Sequence, residues 1–135
     1  MLLVRTFLAE SQIDGFGLFA DEYIPAGTLV WRFDRRVDLA LEHDYIDKLL
    51  PAFRIYCEKY AYLDIRLKKY IICGDDARFV NHSETPNLIG QYPFDQEYGI
   101  DIASCDIIAG EELTSNYSTY DSEFCTKLKL PGLHV

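Results

Sequence analysis

The densest cluster of chemically active side chains lies at residues 74–87. There an apolar pair, Phe79 and Val80, runs directly into Asn81 and His82. Amide and imidazole groups both donate and accept hydrogen bonds, so they suit the recognition of a polar ligand. An ordinary surface loop rarely has such an apolar pair directly ahead of it. The pattern therefore predicts a binding site and not a plain connection.

Two further segments have residue patterns of interest. Residues 106–117 read DIIAGEELTSNY, and taken alone this pattern predicts a hairpin with Gly110 at its turn. Residues 15–20 read GFGLFA, which formally matches the dinucleotide-binding fingerprint. That fingerprint follows an apolar strand and opens a long helix. Here a polar stretch precedes the glycines, and Pro25 with Gly27 stops any helix within about two turns. This context argues against a dinucleotide-binding site. A dinucleotide-dependent oxidoreductase stays an alternative, which a failure to bind NAD or NADP would remove.

Together the three segments resemble the SET-domain lysine methyltransferases. The resemblance lies in GFGLFA followed by IPAGTLV, then ARFVNHSETPN, then IIAGEELTSNY, in the family's order across nearly the whole chain. It implies a mainly β fold, the β-clip arrangement of short curved sheets. It also implies a C-terminal pseudoknot that brings residues 74–87 and 106–117 together. It also implies methyl transfer from S-adenosylmethionine to the ε-amine of a protein lysine. The alternative within the family is a non-catalytic module that binds proteins.

The resemblance also assigns roles to single residues. Tyr117 matches the catalytic tyrosine, whose hydroxyl orients the lysine amine. His82 acts through its main chain, and Arg78 either pairs with the cofactor carboxylate or braces the fold. The residues that the resemblance places at the cofactor are Phe16, Gly17, Tyr62, Arg78, Asn81 and His82. The residues placed at the substrate lysine are Tyr60 and Ser115, although core packing is an alternative for Tyr60 and Tyr62.

Three positions depart from the family's pattern. Glu84 stands where many members have a cysteine, and the tail offers only Cys125, so we expect no zinc site. Asn116 replaces the common aspartate before Tyr117 and loses a charge. Ser115 stands where many members have a phenylalanine or tyrosine. Its small size predicts a roomier pocket and methylation beyond the first methyl group.

The reaction requires a neutral amine. Free lysine has a pKa of about 10.4, so deprotonation at pH 7 costs roughly 4.6 kcal/mol. An aromatic channel and a cationic cofactor both disfavour ammonium and lower that cost. The chain has ten tyrosines and eight phenylalanines to build such a channel. Tyr117 itself is not expected to be a resting base, because a phenol with a pKa near 10 is protonated at neutral pH.

The elements that must position these residues are short. A length of 135 residues fits a single domain, 1–135. Helical spacing of apolar residues predicts a helical insert at about 38–62, in which Pro51 starts a second helix. The tail, about 121–135, is expected to form a short helix. Strands are predicted at 2–8, 18–20, 28–33, 70–73 and 98–103.

The net charge of the chain bears on the kind of partner that it can bind. The net charge of −9 argues against direct nucleic-acid binding. It favours a basic, lysine-containing protein or peptide as partner, and the alternative is that the acidity only keeps the protein soluble. The acidic residues of the insert that would suit such a peptide are Asp38, Glu42, Asp44 and Asp47.

Compartment follows from cysteine usage and hydropathy. The four cysteines form no close pair, which predicts free thiols in a reducing, intracellular compartment, cytoplasmic or nuclear. No apolar run approaches the ~18 residues of a membrane span, and the start of the chain predicts a strand and not a signal peptide. The sequence does not define an oligomeric state.

Overall fold

Short runs of β-branched and aromatic residues, each stopped by glycine, proline or polar residues, make the strands short. The computed structural model describes residues 1–129. Its strands are β1 Thr6–Glu10, β2 Phe16–Ala20, β3 Leu29–Arg32, β4 Leu39–Glu42, β5 Tyr62–Leu63, β6 Lys69–Ile72, β7 Asn81–His82, β8 Leu88–Gln91, β9 Ile100–Ala103 and β10 Thr114–Ser115. The α-helices are α1 Pro51–Tyr60 and α2 Phe124–Lys127, and 3₁₀ helices cover His43–Lys48, Asp76–Phe79 and Tyr117–Thr119. The predicted mainly β class is confirmed.

The strands form four small sheets. β1 and β2 pair antiparallel, and so do the members of two three-stranded sheets, ordered β3-β9-β8 and β4-β6-β5. β7 and β10 form a two-stranded parallel sheet. Because strands distant in sequence pair in three of the four sheets, the topology depends on long-range contacts.

The parallel sheet joins the sequence segments 74–87 and 106–117. Asn81 lies opposite Thr114, and His82 lies opposite Ser115. The side chain of Asn87 reinforces this pairing: its Nδ2 donates to the carbonyl of Glu112 at 2.8 Å, and its Oδ1 accepts from the Thr114 amide at 2.8 Å. The predicted meeting of the two segments is confirmed.

Residues 106–113 do not form the hairpin that their pattern predicts when read alone. They pair instead with the start of the chain, through bridges from Ile107 to Ile24 and from Glu112 to Phe19. Gly110 still makes the expected turn, with φ of +93°. The hairpin interpretation is wrong because both flanks of the turn have partners elsewhere.

Two hydrophobic clusters support these sheets. The first packs the early strands against residues 107 and 113; its members are Leu18, Ala20, Ile24, Val30, Leu88, Ala103, Ile107 and Leu113. The second packs α1 onto the β4-β6-β5 sheet; its members are Ile46, Cys57, Ala61, Leu63, Tyr70 and Ile72. A third, smaller cluster consists of Trp31 from β3, Ile71 from β6 and Cys73, which follows β6.

The insert differs from the prediction at both ends. Its helical part covers residues 43–60, and Pro51 starts α1 as expected. Residues 39–42 and 62–63 are strands, because each pairs with β6. Asp38 is not a peptide-binding acid. It is 2% exposed, and its carboxylate accepts from the Met1 ammonium at 2.7 Å and from the Gly74 amide at 3.1 Å.

Several element boundaries also move. β1 begins at Thr6, not at Leu2, and continues to Glu10, where a loop was predicted. Pairing with β2 extends it, since Glu10 lies opposite Phe16. The tail forms α2 as predicted, and its residues 130–135 lie outside the described part of the chain. All four cysteines are free; Cys57 and Cys73 are buried, whereas Cys105 is exposed.

Ile107→Ala should destabilise the protein by about 2–5 kcal/mol, because it opens a cavity in the first cluster. The neighbouring substitution Ile108→Ala is the matched control. Ile107 is fully buried and Ile108 is 60% exposed, so the control should change stability by less than about 0.5 kcal/mol. Urea unfolding of both variants measures the difference. Equal effects would show that residues 107–113 do not pack against the early strands.

Candidate active site

Two cavities meet at Tyr117. The first, the groove, is lined by Ile13, Asp14, Gly15, Phe16, Phe79, Asn81, His82 and Leu128, among others. The second, the chamber, is lined by Trp31, Tyr62, Tyr92, Asp101, Ser115 and Tyr120, among others. The residues that line both are Lys59, Tyr60, Arg78, Val80, Tyr117 and Lys127. The groove measures about 290 Å³ and the chamber about 80 Å³, so the groove suits the larger ligand.

Asn81 is held rigidly at the groove. Its Nδ2 donates to the carbonyls of Asp14 and Phe16 at 3.0 and 3.2 Å, and to Glu112 Oε1 at 2.9 Å. Within residues 1–129, no donor reaches its Oδ1, although the residue is only 9% exposed. Because this oxygen is not buried, it is open to the groove and is a ready acceptor for a donor on a ligand.

Gly17 makes the Glu112 contact possible. A Cβ at this position would overlap Glu112 Oε1, the atom that also accepts from Ser11 Oγ at 2.8 Å. The sequence predicts Gly17 at the cofactor, but Gly17 is not among the residues that line the groove. It allows the Glu112 carboxylate to lie between Ser11 and Asn81 and so acts on the groove through them. The sequence pattern placed Glu112 only in a turn, and nothing in it indicated this contact.

His82 has a structural contact, as predicted. Its Nδ1 accepts a hydrogen bond from the Tyr117 amide at 3.1 Å, and the two rings are T-shaped with centroids 5.3 Å apart. His82 thereby fixes the backbone of Tyr117.

The Tyr117 hydroxyl is also fixed. It donates to the carbonyl oxygen of Val80 at 2.6 Å. Burial raises the pKa of Tyr117 above its usual value, and the nearby carboxylates of Asp121, Asp14 and Glu112 raise it further. The phenol therefore stays protonated at neutral pH, which agrees with its exclusion as a resting base.

Arg78 has features of both roles predicted for it. Its Nη1 donates to the Asp75 carbonyl at 3.1 Å, which braces the 3₁₀ helix that it belongs to. Its guanidinium lies 4.6 Å from the centroid of Phe79 and 5.9 Å from that of Tyr60. No carboxylate of residues 1–129 forms an ion pair with it, so its charge is available to an anionic group in the groove.

Tyr62 lies in the chamber and not in the groove, which corrects its predicted place at the cofactor. β5 pairs with β6, and this pairing places the Tyr62 ring against Tyr120 with centroids 5.0 Å apart. Tyr60 lines both cavities, so its predicted role at the substrate is geometrically possible.

Ser115 lines the chamber as predicted, but it does not leave the space beside it open. The hydroxyl of Tyr120 lies 2.8 Å from Ser115 Oγ. The Tyr120 ring also contacts Tyr117, with centroids 6.0 Å apart. The prediction of a roomier pocket is therefore wrong at this position, because an aromatic residue from the following 3₁₀ turn fills the space.

The two departures near the site have simple structural accounts. Asn116 caps the 3₁₀ helix of Tyr117, since its Oδ1 accepts from the Ser118 amide at 3.1 Å. A carboxylate would cap it in the same way, so the amide preserves the backbone. Glu84 is exposed. Among residues 1–129, no three histidine, cysteine or acidic side chains are grouped as metal ligands.

Lys127 closes the shared wall from the C-terminal side. Its Nζ lies 2.6 Å from the buried Asp121 carboxylate, contacts the carbonyl of Ala61, and lies 5.9 Å from the centroid of Tyr117. Asp121 in turn accepts from the Leu63 amide at 3.1 Å. The tail is thus anchored next to the site.

No helix within the described chain is long and apolar enough to cross a membrane.

Comparisons with known proteins agree with this geometry. The family model for the SET domain matches residues 15–118. The chain is 31% identical over 109 residues to human histone-lysine N-methyltransferase 2B, covering 79% of this chain and 4% of that protein. It is 29% identical over 133 residues to rat histone-lysine N-methyltransferase SETMAR, covering 86% and 39%.

A solved structure has the same architecture. A chain of the Polycomb Repressive Complex 2 of Chaetomium thermophilum superposes with a TM-score of 0.68 at 26% identity, covering 95% of this chain and 18% of that one. This chain therefore spans well under half of each of these proteins.

Gly17→Ala should destabilise the protein by about 1–3 kcal/mol, because the new methyl group displaces the Glu112 carboxylate and breaks its hydrogen bonds to Asn81 and Ser11. Gly90→Ala is the control. A Cβ at Gly90 would meet Asp101 Oδ1 at 3.6 Å, an ordinary contact, and should cost less than about 0.5 kcal/mol. Urea unfolding gives both values. A Gly17→Ala variant as stable as the wild type would contradict the account of Glu112.

Proposed function

This chain belongs to the SET-domain family, and on that premise we propose that it transfers methyl groups from S-adenosylmethionine to lysine ε-amines of a basic protein. The observation that supports this proposal most strongly is the position of Tyr117. Its side chain lies in the wall shared by a polar groove and a tyrosine-lined chamber, and its hydroxyl is fixed by the Val80 carbonyl.

The groove has the donor and acceptor set that the cofactor needs. The Oδ1 of Asn81 would accept from the cofactor's amino group, and the main chain of His82 would contact its adenine. Arg78 would pair with its carboxylate, and Phe16, which is 58% exposed, would cover it. When bound, the cofactor supplies a methyl group activated by a positively charged sulfur.

The chamber suits the substrate side chain. The tyrosine rings of residues 62, 92 and 120 would cover the aliphatic stem of a lysine. Tyr117 would orient the amine, since transfer between fixed partners depends mainly on their alignment. Burial of the amine among these rings would also disfavour the ammonium form and so lower the cost of producing the neutral nucleophile.

The substrate is proposed to be a histone or another basic protein inside the cell. Both relatives are named histone-lysine methyltransferases. The net charge of −9 would attract a lysine-rich partner, and three acids of the insert, Glu42, Asp44 and Asp47, are exposed.

Tyr117→Phe should reduce lysine methylation by at least about 100-fold, because the amine loses the group that aligns it. The purified protein is incubated with radiolabelled S-adenosylmethionine and core histones, and labelled lysine is counted. Tyr23→Phe, at a 55% exposed position, is the matched control and should retain full activity.

The wild type has three possible outcomes in this assay. Label that depends on Tyr117 supports the proposal and identifies the histone by gel position. Tight cofactor binding by calorimetry without label means that the substrate lies elsewhere, and a host-cell lysate then replaces the histones. Neither label nor cofactor binding would contradict the proposal and favour a non-catalytic, protein-binding module.

Replacing Glu42 and Asp44 with lysine should raise the Michaelis constant for a basic peptide several-fold, because an attractive surface becomes repulsive. The cofactor dissociation constant should not change. Glu10→Lys with Asp21→Lys is the control, since it alters the net charge equally at exposed positions near β1 and β2. The same rise in both double variants would show that net charge, and not the insert, attracts the peptide.

A further inference from the structure

We infer that Arg66 is a positioning residue for the substrate lysine: its guanidinium holds the ring of Tyr92 in place as a wall of the chamber. The inference rests on the proposed function and deepens it, because it names the residue that keeps one wall closed around the stem of the lysine. The family resemblance assigns no role to either residue. Arg66 lies in the turn between β5 and β6, and Tyr92 directly follows β8.

The chamber is lined by residues of two sheets, and Arg66 connects these sheets. Tyr62 belongs to the β4-β6-β5 sheet, whereas Gly90 and Asp101 belong to the β3-β9-β8 sheet. The Arg66 side chain starts from the turn that joins β5 to β6. Its Nη2 donates to the carbonyl of Glu97, in the connection between β8 and β9. Arg66 does not line the chamber itself, so it acts on the chamber from outside.

The guanidinium of Arg66 lies over the ring of Tyr92. Its central carbon is 4.5 Å from the ring centroid, a distance at which an aromatic face attracts a cation. No carboxylate of residues 1–129 forms an ion pair with Arg66. The positive charge therefore acts on the ring and on the Glu97 carbonyl, and not on an acid.

One buried carboxylate aligns both partners of this contact. Asp64 is 2% exposed, and its Oδ1 accepts from the amides of Arg66 and Leu67 at 2.8 Å each. Its Oδ2 accepts from the Tyr92 hydroxyl at 3.4 Å. Burial and the nearby Asp64 carboxylate raise the pKa of Tyr92 to about 12, so the phenol keeps its proton at neutral pH and can donate.

Gly99 leaves room for the Tyr92 ring on the far side of the same connection. A Cβ at residue 99 would lie 3.0 Å from Cε1 of Tyr92, closer than side chains normally approach. The ring is thus confined by the Gly99 backbone, the Asp64 carboxylate and the Arg66 guanidinium. Arg66 is exposed, so its truncation should loosen the ring and leave the fold intact.

The consequence concerns substrate binding and not the chemical step. Tyr92 would cover the aliphatic stem of the lysine, whereas Tyr117 would align the neutral amine at the wall shared with the groove. A loosened Tyr92 ring would leave part of the stem in water. Because this loss affects the bound substrate and the transition state equally, the Michaelis constant should rise while kcat stays nearly constant.

Arg66→Ala should therefore raise the Michaelis constant for core histones about threefold or more, the size expected for the loss of an exposed cation–ring contact. The assay uses radiolabelled S-adenosylmethionine, and neither kcat nor the cofactor dissociation constant should change. Arg5→Ala removes the same charge at an exposed position and should behave as the wild type does. An unchanged Michaelis constant in Arg66→Ala would overturn the inference.

A double-mutant cycle shows whether Arg66 acts through Tyr92. In the Tyr92→Leu background the ring is already absent, so Arg66→Ala should have no further effect on the Michaelis constant, since residues in contact give non-additive effects. An undiminished effect of Arg66→Ala in that background would show that Arg66 acts by another route, and the inference would be wrong.

The motion of the Tyr92 ring gives a readout that needs no methyl transfer. Carbon-13 NMR of the tyrosine-labelled chain, with Tyr92→Phe identifying the signal, measures the rate at which the ring flips. Arg66→Ala should raise this rate about threefold or more, and Arg5→Ala should not change it. Equal rates in the wild type and Arg66→Ala would also overturn the inference. If the wild type transfers no methyl group, the proposed function fails, and the flip rate still decides whether Arg66 holds the ring.

Discussion

The contact between β7 and β10 holds together residues that are more than thirty positions apart in the chain. Asn81 and Tyr117 both line the groove, and they become neighbours because Asn81 lies opposite Thr114 and His82 lies opposite Ser115. Two strands of two residues each are weak by themselves, and side chains stabilise them. Asn87 bonds both to Glu112 and to Thr114, and His82 accepts from the Tyr117 amide.

The partly buried carboxylate of Glu112 contributes a second constraint. Glu112 accepts from Ser11 and from Asn81, and it fits only because residue 17 is a glycine. The three sequence segments therefore meet at a single side chain, one segment supplying the glycine, one the amide and one the carboxylate. The cost of burying the charge is offset by these hydrogen bonds, which also prevent the Asn81 amide from rotating.

Much of the fold could be predicted from sequence, and the reasons for the failures are specific. The composition of residues 74–87 drew attention to Asn81 and His82, whereas Tyr117 was assigned by the family resemblance. Proline and glycine correctly marked the start of α1 and the turn at Gly110. The helical insert was drawn too wide because strands of two to four residues carry too little periodicity to be separated from a helix.

The chamber was predicted least well, because its walls come from strands that are distant in sequence. Tyr120 fills the space beside Ser115, and no spacing rule relates a residue in a 3₁₀ turn to a strand position five residues earlier. The sequence did not predict that Asp101 lines the chamber, because this position depends on which face of the sheet the residue occupies. Asp38 was predicted to bind a basic peptide at the surface, but it is buried and accepts hydrogen bonds from Met1 and Gly74.

The division of the site into two cavities has a consequence for the order of events. Six residues line both cavities, and the remaining walls are separate, with the groove formed by the β2–β7 region and the chamber by β5, β8 and β9. Under the proposed function, a cofactor in the groove would exchange with solvent while a protein side chain stays in the chamber. Such an arrangement would permit several rounds of chemistry during one encounter with a protein chain, and the dwell time of that chain would govern how far the modification proceeds.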